Sequence, residues 1–267
     1  MLHVKKNFDR DNFSLVLSGG GALGIAQLGV VSDMQIKAWT PSEIVGTSMG
    51  AIIGACIAIG MKEEEIYAHI VEFSSVQSWV KFSFTGNSII KTQKIDKILE
   101  SIFQDMKIKD AKIPLKIIAT NIQTGDIKVF TCRDDVMIKD AVLASMAIPG
   151  IFEEQKIDGV VYSDGFLCEN LGINQATCRD ILAIDVLGKN SFSTEMPDNF
   201  FKTSNVLEMF EKSMRILIYN QTKLLLENST ENILHVEPNT KEFKTFHFHK
   251  HKELRALGLD LLADINL

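Results

Sequence analysis

Three short segments of this sequence carry residue types that could do chemistry together. Gly46-Thr47-Ser48-Met49-Gly50 has the G-x-S-x-G form. In that form a tight strand-to-helix turn lifts the serine Oγ clear, and the small flanking residues let neighbouring chains pack close. Gly19-Gly20-Gly21-Ala22-Leu23-Gly24 offers successive backbone N–H groups with few side chains in the way. Followed by a helix, such a loop binds negative charge: a phosphate, or the oxyanion that forms when an ester carbonyl is attacked. Asp164 closes the run Val160-Val161-Tyr162-Ser163-Asp164-Gly165. A carboxylate held there at the rim of a sheet could take the serine proton directly, given partial burial to raise its basicity. Asp158-Gly159, a little upstream, has the same Asp-Gly form. That dipeptide is common in turns, and spacing alone does not choose between the two aspartates.

Two other chemistries compete for these residues. Gly19, Gly21 and Gly24 also satisfy G-x-G-x-x-G, which in a dinucleotide site requires an acidic residue about 20 positions on, at the tip of the next strand. Here that strand ends in Gly46-Thr47-Ser48. A nucleotide- or phosphate-binding module is therefore the reading that rests on the loop alone. The second competitor is a histidine-based triad. The histidines are His3, His69, His235, His247, His249 and His251. The chain order serine, acid, histidine leaves the last four. Of these, His247, His249 and His251 alternate in Phe-His-Phe-His-Lys-His, which reads as a solvated strip or a weak adventitious metal site. His69, beside a glutamate cluster, reads as surface.

The elements that must position these groups alternate between strand and helix. Phe13–Ser18 is a short apolar strand ending in the glycines, and apolar residues then recur every three or four positions through Leu23, Leu28, Val31 and Met34. Glu43–Gly46 is a second strand, running through Ser48 into a buried helix over Met49–Ile59. Lys62–Phe73 is an amphipathic helix with three glutamates in its first turn, where they suit the helix dipole. Leu115–Asn121 and Ile127–Thr131 form a hairpin around Gln-Thr-Gly-Asp, and Ile138–Ala147 is a helix stopped before Pro149-Gly150. Val160–Ser163, Ile181–Val186 and Ile233–Val236 are further strands, and Asn205–Leu226 is a long amphipathic helix. Strand and helix in this alternation predict an α/β fold with a mainly parallel sheet between helices.

Composition bounds the rest. The chain has 267 residues, 46% hydrophobic and 23% charged, enough to bury a core without staples, and it reads as a single domain over residues 1–267. A net charge of −6 argues against nucleic acid as a partner. Cys56, Cys132, Cys168 and Cys178 show no paired spacing and read as reduced thiols. The opening residues lack the apolar run of a secretory signal, so a cytoplasmic location is expected. Ile44–Met61 carries no charge, but its glycines and its GTSMG segment fit a strand, turn and buried helix better than a membrane span. Neither an EF-hand loop nor a spaced Cys/His cluster is present, so no metal and no cofactor is expected. Ser74–Lys94 places Trp79, Val80, Phe82 and Phe84 among Lys81, Lys91 and Lys94. That stretch is either a small satellite core or a peripheral contact with a lipid surface.

Taken in order, these blocks resemble the patatin-like phospholipases. That family has a GGGxxG loop, a G-x-S-x-G elbow and a D-G-[GA] aspartate, matched here by Gly19–Gly24, Gly46–Gly50 and Asp164-Gly165. Ala144-Ser145-Met146-Ala147-Ile148-Pro149-Gly150-Ile151-Phe152 looks like the family's block before the dyad strand. The blocks fall between residues 13 and 187, and the remainder, 188–267, is uninformative. The resemblance implies a three-layer patatin-like fold and a lipid acyl hydrolase acting on phospholipids or lysophospholipids through a Ser–Asp dyad without histidine. It implies Ser48 as nucleophile and Asp164, rather than Asp158, as base. The N–H groups of the Gly19, Gly20, Gly21 and Ala22 loop would be the oxyanion hole. An acyltransferase using the same acyl-enzyme is the alternative. Three positions depart from the family: Phe166 replaces the usual Gly or Ala, Gly172 stands where a proline often follows Asn170-Leu171, and Leu23 replaces a basic residue. Phe166 would narrow the acyl channel or reshape the loop behind the dyad, and Leu23 would remove a side-chain contact to phosphate.

Overall fold

The computed structural model describes residues 8–75, 93–193 and 203–263. Its centre is one eight-stranded sheet. The strands are β1 (Phe13–Leu17), β2 (Glu43–Thr47), β3 (Leu115–Asn121), β4 (Ile127–Phe130), β5 (Gln155–Ile157), β6 (Val160–Asp164), β7 (Asp180–Ile184) and β8 (Asn232–Val236). The order is β5-β6-β3-β2-β1-β7-β8, with β4 also on β3. The run β3-β2-β1-β7-β8 is parallel, while β4, β5 and β6 are antiparallel additions around β3.

Strand alternation divides the core in two. Phe13, Leu15 and Leu17 of β1 enter the larger cluster, with Leu182 and Ile184 of β7. Val16, Ile181 and Ala183 point to the other face, with Val45, Ile118, Leu171 and Ile233. The larger cluster is closed by α1 (Ala26–Ile36), α2 (Met49–Ala58), α3 (Glu63–Ser75), α4 (Gln93–Phe103), α5 (Ile138–Met146) and the short α7 (His251–Ala256). The second face has a thinner cover, to which Leu225 and Leu226 near the end of α6 (Thr203–Asn228) contribute. The expected layered α/β architecture is therefore present, with unequal layers.

Every residue of α2 is buried, so it reads as apolar all round rather than amphipathic. Asp158-Gly159 forms the turn between β5 and β6, and both residues have positive φ (49° and 83°). That is the left-handed turn a tight hairpin prefers, and it leaves Asp158 exposed and remote from any buried base role. The helix α4 is an element that the sequence reading leaves unassigned. The aromatic and lysine stretch read as a membrane contact lies mostly outside the described residues. Among the described residues, no helix is long and apolar enough to cross a membrane.

Candidate active site

The register around β3 brings the chemistry together. β4 covers one edge of β3 over Ile117–Thr120. On the other edge β2 pairs as far as Ile118, through Thr47, and β6 takes over at Ala119, through Asp164. The C-terminal end of β2, where the serine turn begins, therefore abuts the C-terminal end of β6.

Ser48 stands at that turn with φ 53° and ψ −120°, a strained conformation for a residue with a Cβ. The glycines of the elbow permit it. A Cβ on Gly46 would come within 2.5 Å of the Gly50 carbonyl oxygen, and one on Gly50 would collide with the Leu17 backbone. Ser145, in the last turn of α5, holds the elbow from beneath. Its Oγ accepts the Ser48 N–H at 2.8 Å and donates to the Ile118 carbonyl at 2.6 Å.

Asp164 is fixed by the same strip of chain. Its N–H donates to the Ala147 carbonyl at 2.9 Å, and its own carbonyl accepts the Thr120 hydroxyl at 3.0 Å. Ser163 Oγ also donates to Ala147, at 2.6 Å. Asp164 Oδ1 accepts the Phe166 N–H at 3.0 Å, while Oδ2 is buried without a hydrogen-bond partner. Complete burial pushes the carboxyl up to about 7, against the Phe166 N–H and the Ser48 hydroxyl, which both favour the anion. The Ser48 hydroxyl lies near enough for that influence but makes no hydrogen bond of normal geometry in this conformation. An unpartnered carboxylate oxygen poised near neutrality beside a strained serine can act as a general base.

The glycine loop faces the same point. Gly21 has φ +56°, and a Cβ there would lie 2.6 Å from the Thr245 carbonyl oxygen, so this position requires glycine. The loop's donors are not equivalent. The Gly19 N–H is directed at the Asn170 carbonyl (3.4 Å), and the Ala22 N–H is held by Thr245 O at 2.8 Å. The N–H groups of Gly20 and Gly21 meet no acceptor among the described residues. Leu23 is fully buried in the core, so its side chain turns away from the site.

A cleft of about 460 Å³ opens over these groups, with Gly20, Gly21, Ser48 and Asp164 along it. Ile148, Ile151, Phe166, Met214, Ile218 and Phe246 give it apolar walls. The residues after Leu187, opaque in sequence, supply much of this lining through α6 and the segment 243–248. Glu211 of α6 accepts both the N–H (2.8 Å) and the hydroxyl (2.6 Å) of Thr245, and Arg215 Nη2 at 2.7 Å. Burial opposes the Glu211 charge, but Arg215 and Thr245 hold its carboxyl below the usual range. Arg215 also donates to the Ser191 and Phe243 carbonyls, each at 3.0 Å. These bonds fasten the 243–248 segment to α6 above the glycine loop. No motif signals them, because they join residues that become neighbours only in the fold.

Among the described residues, the histidines have partners other than Ser48 and Asp164. His251 Nδ1 meets the Tyr67 hydroxyl at 2.7 Å, and His235 lies beside Asp185 and Glu237. His69 sits 3.9 Å from Glu72. His247 lines the cleft, but its Nδ1 accepts the Lys244 N–H at 3.2 Å. Gly172 packs against Ile118 and Val45, where a Cβ would strike the Ile118 side chain.

Residues 15–177 match the family model described as patatin-like phospholipase. An uncharacterized NTE family protein of Mycobacterium tuberculosis is 29% identical over 161 residues, covering 59% of this chain and 43% of that protein. The lysophospholipase NTE1 of Saccharomyces cerevisiae is 24% identical over 270 residues, 92% of this chain and 16% of its own length. The chain thus spans less than half the length of these relatives. Among solved structures, VipD from Legionella pneumophila aligns over 96% of this chain and 70% of its own, with a TM-score of 0.46 and 14% identity.

Proposed function

The chain belongs to the patatin-like phospholipase family, and from that premise we propose that it is a serine hydrolase of acyl esters in phospholipids or lysophospholipids. The observation that carries this reading is the buried, unpartnered Asp164 Oδ2 beside the strained Ser48 elbow.

Asp164 takes the Ser48 proton as Oγ attacks the ester carbonyl carbon. The carbonyl electrons move to oxygen, and the oxyanion is met by the N–H groups of Gly20 and Gly21. One such donor is typically worth on the order of 10²–10³ in rate. Collapse expels the alcohol, which takes the proton from Asp164, and leaves acyl-Ser48. Water then attacks that ester with Asp164 again as base, releasing the fatty acid and restoring Ser48. The Gly19 and Ala22 N–H groups shape the loop through Asn170 and Thr245 rather than meeting the oxyanion in this conformation.

Substrate class follows from the walls. The apolar sides suit an acyl chain. The exposed Phe210, Leu217 and Leu224 recur every seventh residue along α6, on the side that begins at the cleft. Such a stripe supports peripheral contact with a lipid surface. The test is release of free fatty acid from phosphatidylcholine and lysophosphatidylcholine by wild type and by Ser48→Ala. Release that depends on Ser48 supports hydrolysis. Acyl transfer to an added alcohol, without net fatty acid, would move the protein to the transferases.

A further inference from the structure

At the carboxyl ends of β7 and β8, behind the glycine loop, three side chains converge that no part of the ester chemistry uses. Asp185, His235 and Glu237 each present one donor atom, and the three atoms lie within 4.8 Å of one another. His235 Nε2 is 3.5 Å from Asp185 Oδ2 and 3.7 Å from Glu237 Oε1. These distances are too long for N–H···O hydrogen bonds, which run from about 2.7 to 3.2 Å. They fit donors around a shared cation: with bonds of about 2.0–2.2 Å, neighbouring ligands of a tetrahedral ion sit roughly 3.3–3.6 Å apart.

Four further observations point the same way. Asp185 is 1% exposed, yet its Oδ2 and His235 Nε2 are both buried without a hydrogen-bond partner. Asp185 Oδ1 accepts the Leu187 N–H at 3.0 Å, which orients the carboxylate with Oδ2 toward His235, as an outer-shell bond orients a ligand. The main chain passes the cluster at Gly188, where a Cβ would lie 2.9 Å from Asp185 Oδ2 and collide with the Glu237 carboxylate. Space beside the three donors is thus kept free of side chain. The ion pairs of Asp185 and Glu237 among the described residues involve His235 alone, so the two carboxylates have no Lys or Arg to offset their burial.

We propose that Asp185, His235 and Glu237 bind a divalent cation of the zinc class. One imidazole nitrogen with two carboxylates suits zinc better than magnesium or calcium, which prefer all-oxygen sets. The site is structural. It ties the tips of two adjacent strands and steadies Val186, whose N–H donates to Ser18 Oγ at 3.0 Å and whose Cγ2 packs where a Cβ on Gly20 would fall. The sequence hides it, because Asp185 and the His235–Glu237 pair come from different strands and carry no spacing signature.

The test uses the full chain, stripped with chelator, desalted and titrated with zinc or magnesium, with calorimetry and thermal unfolding as readouts. The expected result is one zinc bound per chain, a Tm that rises with zinc and not with magnesium, and loss of both effects in His235→Ala and in Glu237→Gln. The triple variant His247→Ala, His249→Ala, His251→Ala should keep both. The near-isosteric Glu237→Gln remains informative if His235→Ala folds poorly. A wild-type Tm indifferent to zinc would overturn the proposal. So would zinc binding that survives Glu237→Gln and vanishes in the triple variant, which would place the ion on the C-terminal histidines.

Discussion

Thr47 and Asp164 sit end to end on one edge of β3, paired with its consecutive residues Ile118 and Ala119. The nearness of Ser48 to Asp164 is therefore a consequence of strand register. A one-residue slip of β6 would turn Asp164 to the opposite face of the sheet, away from Ser48. Ser145 and Ala147, at and just beyond the end of α5, bind both strand ends, so Ser48 and Asp164 share one support.

The raised carboxyl of Asp164 fixes a pH dependence. As base it must be ionised, so kcat/KM on a soluble ester should rise with pH and level off above an inflection near 7. The stability sign is opposite. Its folded value lies above its unfolded one, so its favourable contribution is full below the ordinary aspartate range and is lost as pH rises through about 7. Asp164→Asn should therefore match wild type in Tm at pH 4 and exceed it at pH 8. A wild-type rate that stays flat from pH 5 to 9 would contradict this assignment.

Ser145→Ala should leave the Ser48 N–H buried without an acceptor, costing about 1–3 kcal/mol of stability. Misplacement of the elbow should lower kcat by about 10²-fold with KM little changed. A variant that is less stable but fully active would reduce Ser145 to a packing residue.

Glu211→Gln should weaken the hold of α6 on Thr245 and remove the charge that pairs with Arg215 on the same helix. Because the 243–248 segment lines the cleft, kcat/KM for a long-chain ester should fall more than for a short one. Equal loss on both would indicate a global effect on the fold.

The α6 stripe gives a surface test. The double change Leu217→Ser with Leu224→Ser removes exposed apolar groups away from the reacting residues. Hydrolysis of vesicle lipid should drop severalfold while turnover of a soluble ester is kept. Unchanged vesicle activity would dismiss α6 as the contact.

Much of the site was legible because its signals are local. A strand, a glycine run and a helix are read from neighbouring residues, and so are the elbow and the β3–β4 hairpin. Asp158 shows the limit: its Asp-Gly form equals that of Asp164, and in the fold its exposed, left-handed hairpin turn sets it apart from the buried Asp164. The helix α4 escaped although Ile95, Ile98, Leu99 and Ile102 have helical spacing and are buried. Ser145, Thr245 and the Asp185–His235–Glu237 cluster act through contacts between distant segments, which no single-sequence pattern encodes.

The central claim is that Ser48 is a nucleophile activated by Asp164, and covalent labelling tests it most directly. Wild type is treated with a fluorophosphonate and the adduct located by peptide mass spectrometry. One adduct is expected, on Ser48, absent in Ser48→Ala and slowed roughly 10⁴-fold in Asp164→Asn. Single Ala changes at His235, His247, His249 and His251 should leave most of the labelling rate. Labelling of another serine, or a rate that collapses with one of those histidines and not with Asp164, would contradict it.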